Sequence, residues 1–388
     1  PVIYPTDFLN QQTSMLSIGG IDLEIQHTPG ETDDQIIIYY PEKDVVISAD
    51  NYYMRFPNLY TIRGTSYRDT KSWYKSVDAM RSYKPDFLIS CHGPFLTGEK
   101  IIEERLTIYR DAIQYIHDYA VRGANLGKTP DELVENFEYP SFFLENYDLQ
   151  EKYGKVSWSI RNVYNGYLGF FDGKAVNLEP LSAHKRAKHI FELIGSKEQL
   201  ISEINKANQS KNYQWAAELS DVGLLNFPND DQIKNLYSIS LENLSLVETN
   251  PIARNYYLSE AYELTNKINP SLEYTVSAEQ AKNIPLSTFF DAMGPRLNSE
   301  KAKNKLIKIG FNITDSDEKF GVIVRNQIAE ISNSYDDSFD VIVSVDSNTW
   351  KGIVLKTVSA VQAIASGKLK IDGESIKFLQ FSSLFNND

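Results

Sequence analysis

Three stretches of this chain set charged or coordinating side chains at the ends of apolar runs. His27-Thr28-Pro29-Gly30-Glu31-Thr32 follows the alternating segment Ile21 to Ile25, Asp50 ends Val45-Val46-Ile47-Ser48-Ala49-Asp50, and His92 lies in Ser90-Cys91-His92-Gly93 behind Phe87-Leu88-Ile89. Carboxylate oxygens and imidazole nitrogens are metal donors in general, and a turn after a strand projects such groups into the cleft at a sheet edge. Between the second and third stretches, Phe56 to Gly64 carries Asn58 and Arg63. Every one of these residues has an ordinary alternative. Glu31 after Pro-Gly is by itself a solvated turn residue, Asp50-Asn51 a turn former, His92 a core or surface histidine, and Arg63 half of a surface ion pair. Their common order behind strands is what sets them apart as a group.

The elements that must position them read as an α/β layer. Ile21 to Ile25 alternates as a half-buried strand does, while Gln35 to Tyr40 and Val45 to Ile47 are β-branched runs parted by the turn Pro41 to Asp44. Asp69 to Tyr83 reads as a helix with Trp73, Val77 and Met80 on one face, and Phe87 to Ser90 as a further strand. From Glu99 to Asn125 apolar residues recur at helical spacing, and Thr129-Pro130-Asp131-Glu132 is a helix start. Residues 183–268 read as paired helices, similar in texture to a tetratricopeptide hairpin but with no clear second copy. Leu286 to Met293 reads as a helix. Leu306 to Thr314, Phe320 to Ile328, Glu330 to Asn333 and Asp340 to Val345 read as strands, and Asn348 to Gly352 and Val358 to Gly367 as helices. These last elements form a separate α+β domain.

The 388 residues have a hydrophobic content of 42% and a net charge of −13, so they can fill cores but offer phosphate no basic surface. A nucleic-acid partner is therefore not expected. A single cysteine, Cys91, excludes an internal disulfide framework, and no apolar run is long enough to span a bilayer. The start at Pro1 without an initiator Met reads as a fragment or processed chain. The compartment stays open, with a periplasmic or secreted place favoured for a bacterial parent.

The stretches quoted above resemble the alkyl sulfatases of the metallo-β-lactamase superfamily. The turn around Glu31 resembles that fold's H-x-P-G-H-T turn with Glu in place of the second His. Asp50-Asn51-Tyr52-Tyr53, Phe56 to Gly64, Tyr109 to Asp118 and Val163 to Gly173 extend the likeness along the chain. The resemblance implies three parts: the C-terminal part of a metallo-β-lactamase αββα domain over 1–112, a helical dimerisation domain over 113–268, and a sterol-carrier-like α+β domain over 269–388. It further implies two zinc ions per complete site, with Glu31 and His92 as ligands and Asp50 as the bridging carboxylate. Asn58 and Arg63 would hold the sulfate, with Tyr164 or Tyr167 also within reach, although aromatics so close to Leu168 and Phe170 serve as core as well. The implied reaction is hydrolysis of an alkyl sulfate ester to alcohol and inorganic sulfate by a homodimer.

One part of the family pattern is missing. The H-x-H-x-D-H motif occurs nowhere, and His27, His117, His184 and His189 lack its spacing. Three donors are too few for a stable two-zinc site, so activity is expected only together with an N-terminal part bearing that motif. Two other readings are a noncatalytic dimerising scaffold with a lipid-binding domain and a related metallo-hydrolase of another ester.

Overall fold

A computed structural model describes residues 8–9, 11–266 and 278–385, in two compact units, one from Leu9 to Asn266 and the other made of Phe8 and the residues from Ala278. The boundary expected at 268–269 lies outside the described residues.

The first unit opens with a six-stranded sheet of β1 (Thr13–Ile18), β2 (Ile21–His27), β3 (Ile36–Tyr40), β4 (Val45–Ala49), β5 (Phe87–Ser90) and β6 (Leu96–Thr97), neighbours in that order. β1 to β4 form an antiparallel meander, whereas β4 and β5 run parallel. A parallel pair needs a crossover, and α1 (Thr70–Ser82) supplies it. Its start is fixed by Asp69, whose carboxylate accepts from the backbone N–H groups of Lys71 and Ser72. Trp73, Val77 and Met80 are fully buried, as their spacing requires for one helical face, and each such burial is worth about 1.5–3 kcal/mol. They share a core with Ile37, Val46 and Leu88 from one face of the sheet. On the strands' other face Ile47, Phe87 and Ile89 remain exposed.

α2 (Glu99–Asn125) runs unbroken through residues 112 and 113, where the sequence pointed to a change of domain. Leu106 before that point and Ile113, Ile116 and Ala120 after it enter the same core. α3 (Pro130–Glu135) begins with a full capping box between Thr129 and Glu132, and α4 (Ser141–Glu145) and α5 (Val156–Leu168) follow. Then come α6 (Ala183–Ile194), α7 (Lys197–Gln209), α8 (Tyr213–Asn226), α9 (Asp231–Val247) and α10 (Pro251–Asn266). α6 and α7 pack on α8, α8 on α9 and α9 on α10, which is the paired-helix pattern read from the sequence. Asn250 ties this array to the loop at 151–154 in the same unit. Fully buried, it caps α10 through bonds from Ile252 and Ala253 N–H, and its Nδ2 reaches the carbonyls of Glu151, Tyr153 and Gly154.

The second unit holds short helices α11 (Ala278–Lys282), α12 (Leu286–Asp291) and α13 (Met293–Arg296), then β7 (Ile307–Ile313), β8 (Lys319–Arg325), β9 (Ile328–Ser332) and β10 (Val341–Val345). After them stand α14 (Ser347–Val354), α15 (Ala360–Ala365), β11 (Leu369–Gly373) and α16 (Ser375–Ser383). The sheet order is β11-β10-β7-β8-β9, with β10 parallel to β7 and every other pair antiparallel. Phe290, Phe311, Trp350 and Phe381 fill the core. Two readings change here. The run Phe320 to Ile328 is a hairpin, because Asn326 and Gln327 take positive φ values of 48° and 64°, as a tight two-residue turn demands. The run Leu286 to Met293 spans two helices that meet at Ala292.

Candidate active site

The sheet explains how three distant residues come together. Parallel β4 and β5 end side by side, so Asp50 and His92 leave adjacent strand ends, and His92 Nδ1 stands 2.6 Å from Asp50 Oδ1. Glu31 arrives from the turn after β2. That turn is held by Asn51, whose Nδ2 donates to the Thr28 carbonyl at 2.7 Å, and by Ser76 of α1, which donates to the Pro29 carbonyl. A Cβ at Gly30 would lie 1.9 Å from Asn51 Oδ1, so the close approach that fixes the turn needs glycine.

Glu31, Asp50 and His92 line one cavity of about 510 Å³ with Tyr53, Met54, Arg55, Pro94, Tyr147 and Tyr153. That volume is in the range of small-molecule sites. Glu31 is 7% exposed, and its Oε1 takes bonds from Arg68 Nη1 at 3.1 Å and the Tyr153 hydroxyl at 3.3 Å. Among the described residues, its Oε2 is buried without a partner. Burial pushes the Glu31 carboxyl above its ordinary range, Arg68 opposes the shift, and the charge of Asp50 adds to it. Burial likewise holds the Tyr53 hydroxyl well above its usual value, with the charge of Glu31 as the next cause.

Asn58 adjoins this group. Its N–H donates to the Tyr53 hydroxyl, its carbonyl accepts from Arg68, and among the described residues neither atom of its buried amide has a partner. The three remaining residues singled out in the sequence are placed elsewhere. Arg63 is exposed and does not line the cavity. Tyr164 is buried in the core beside α2, and Tyr167, half exposed, meets His117 Nε2 at 2.8 Å. Among the described residues, no group of three His, Cys, Asp or Glu side chains stands close enough to hold a metal ion.

Sequence reasoning missed Arg68, Tyr153 and Arg55. Arg68 directly precedes the cap of α1, where a lone arginine gives no periodic signal. Tyr153 lies 122 residues from Glu31, and only the folded chain joins them. Arg55 lines the cavity and stacks over the Tyr147 ring at 4.6 Å; its place after Tyr52-Tyr53 was the one available hint.

Known proteins agree with this layout. Residues 2–92 match the metallo-beta-lactamase superfamily, 129–267 the alkyl sulfatase dimerisation domain and 274–388 the alkyl sulfatase C-terminal domain. A linear primary-alkylsulfatase of Pseudomonas sp. is 32% identical over 99% of this chain and 75% of its own length. An alkyl/aryl-sulfatase of Saccharomyces cerevisiae is 28% identical over all of this chain and 60% of its own. The solved structure of a stereoselective inverting sec-alkylsulfatase from Pseudomonas sp. superimposes with a TM-score of 0.95 at 26% identity, covering 100% of this chain and 62% of that one. This chain thus spans between about three fifths and three quarters of the relatives it matches. With a relative this similar along nearly its whole length, the chain belongs to the alkyl sulfatase family of the metallo-β-lactamase superfamily.

Proposed function

We propose that the cavity between Glu31, Asp50 and His92 serves zinc-dependent hydrolysis of alkyl sulfate esters to an alcohol and inorganic sulfate. The observation that carries this reading is that Glu31, whose buried Oε2 has no partner among the described residues, lines the same cavity as the Asp50–His92 pair. Oxygen and nitrogen donors of this kind suit zinc. They form part of a donor set, and two zinc ions would take further donors from outside these 388 residues. Zinc supplies Lewis acidity and makes water acidic enough to react at neutral pH.

The chain's own residues do the rest. Donation of the His92 Nδ1 proton to Asp50 selects the tautomer that leaves Nε2 its lone pair. Arg68 and Tyr153 occupy Oε1 of Glu31 and so leave Oε2 for the ion. The guanidinium of Arg55 lines the cavity and suits a sulfate, while the role the resemblance gives Asn58 rests on a buried amide that is unpaired among the described residues but does not line the cavity. Arg63 keeps the role the resemblance gives it only if the Arg63→Ala variant loses sulfate affinity as strongly as Arg55→Ala. Met54, Pro94 and the rings of Tyr147 and Tyr153 offer an apolar wall to the alkyl chain. The dimerisation match over 129–267 supports a homodimer, and among the described residues no helix is long and apolar enough to cross a membrane.

The test is sulfate release from dodecyl sulfate by the intact protein, with zinc supplied and then chelated. Phosphate release from a phosphate monoester is measured alongside. Turnover confined to the phosphate ester, or indifferent to chelation, refutes the assignment.

A further inference from the structure

Arg55 lines the cavity beside Glu31, Asp50 and His92, yet among the described residues no carboxylate pairs with it. Its Nη1 donates to the neighbouring Met54 carbonyl. A guanidinium carries several N–H donors, so this bond leaves others for an anion. What holds so long a side chain in place is a ring. The Arg55 guanidinium carbon lies over Tyr147, 4.6 Å from the ring centroid, well within the reach of a cation–π attraction.

Tyr147 is half exposed, but its backbone is held on both sides. It opens a single 3-10 turn, Tyr147–Leu149, whose other two residues are buried. Burying the Asp148 carboxylate is costly unless its oxygens are bonded, and here they are. The Tyr52 hydroxyl donates to Oδ2 at 2.8 Å, and Arg105 Nη1 of α2 reaches the two oxygens at 3.2 and 3.3 Å. Tyr52 belongs to the same stretch as Arg55. Just beyond Arg55, Phe56 N–H donates to the Gln150 carbonyl at 3.0 Å, and Gly154 N–H to the Phe56 carbonyl at 3.1 Å. These bonds join 52–56 to 147–154 on either side of the ring–guanidinium contact. The ring and the cation cannot drift apart without breaking them.

We infer, on the sulfate ester hydrolysis proposed above, that Tyr147 is a positioning residue whose ring sets the Arg55 guanidinium to receive the sulfate group. A cation held over a ring gives up none of its N–H donors, which stay available to an oxyanion. The ring also restricts a side chain that would otherwise lose its rotamer freedom on binding.

The competing role for Tyr147 is that of an apolar wall for the alkyl chain and nothing more. Inorganic sulfate has no chain and separates the two. Sodium sulfate is used with the intact, zinc-loaded protein, as an inhibitor of dodecyl sulfate hydrolysis and as titrant in calorimetry. Tyr147→Leu should weaken sulfate by about three- to fivefold in both, the loss of one cation–π contact. Tyr147→Phe, which keeps the ring, should restore sulfate affinity to within about twofold of wild type. In an Arg55→Ala background, Tyr147→Leu should change sulfate affinity by less than about 1.5-fold, because the two residues act as one. A Tyr147→Leu protein that binds sulfate as wild type does, with only dodecyl sulfate affected, makes Tyr147 a wall and overturns the inference. So does a full effect of Tyr147→Leu without Arg55. Wild type that binds no sulfate overturns the role of Arg55 itself. Wild type that binds sulfate but releases none from dodecyl sulfate overturns the sulfatase reading, and the calorimetric comparison still decides the role of Tyr147.

Discussion

Removing Arg68 tests the electrostatics of the site most directly. Arg68 and Glu31 expose 6% and 9% of their side chains, so their ion pair is a buried one. Deleting one partner of such a pair costs about 3–5 kcal/mol, because the other is left charged and unpaired. Arg68→Met keeps much of the side-chain volume and leaves Glu31 with only the Tyr153 hydroxyl. Burial already raises the Glu31 carboxyl above its ordinary value in the wild type, and loss of the cation raises it further. An acid whose folded pKa is raised destabilises the folded state as pH climbs from the unfolded towards the folded value. The penalty of Arg68→Met should therefore be small near pH 4, grow through that window, and level off at its full size above it. Urea unfolding followed by tryptophan fluorescence at pH 5 and pH 8 reads the difference, and Glu31→Gln/Arg68→Met should recover most of the loss at pH 8. A cost below about 1 kcal/mol at pH 8, or one that does not change with pH, contradicts the reasoning. So does a double variant as unstable as the single one.

Three further outcomes follow from the geometry. Gly154→Ala puts a Cβ 1.9 Å from the Pro57 carbonyl oxygen and 2.8 Å from Asn58 Cα, all backbone, so it should cost about 1–3 kcal/mol and displace Asn58, seen as a lower Tm with weaker sulfate binding. Asp230→Ala removes the cap of α9, where Asp230 accepts from Ile233 N–H at 3.0 Å and also pairs with Lys197; a loss of about 1–2 kcal/mol is expected at neutral pH. The Lys197 bond holds the Asp230 carboxyl below its ordinary range, so its contribution is present above the unfolded aspartate value and fades as pH falls through the folded one, which acid titration of both proteins would show. His92→Ala, at a side chain 73% exposed, should change stability by less than about 1 kcal/mol while abolishing zinc-dependent sulfate release.

Local order was readable in the chain, and long-range order was not. Trp73, Val77 and Met80 announced α1 because a helical face repeats within a few residues, and Thr129 with Glu132 announced a cap for the same reason. The turn at Asn326 and Gln327 was hidden because neither residue is the glycine that usually marks positive φ. β6 has only two residues, too few for any alternation to show, and the exposed β1 has no buried face to impose one. Glu31, Asp50 and His92, which share one cavity, stood out because each follows a readable strand, β2, β4 or β5, within a turn that resembles the family's. Arg68, which grips Glu31, and Asn250, about a hundred residues from the carbonyls it holds, belong to no local pattern.

Asn250 carries a consequence for how this architecture can be recombined. Its single amide group serves the α10 cap and the 151–154 loop at once, and that loop delivers Tyr153 to Glu31. A chimera that took its helical array from one relative and its sheet from another would inherit a loop and a cap fitted to different partners. Crossovers that keep 151–154 and 250 from the same parent should yield folded hybrids far more often than those that divide them. The unit of inheritance here is that discontinuous pair of segments, whatever lies between them in the chain.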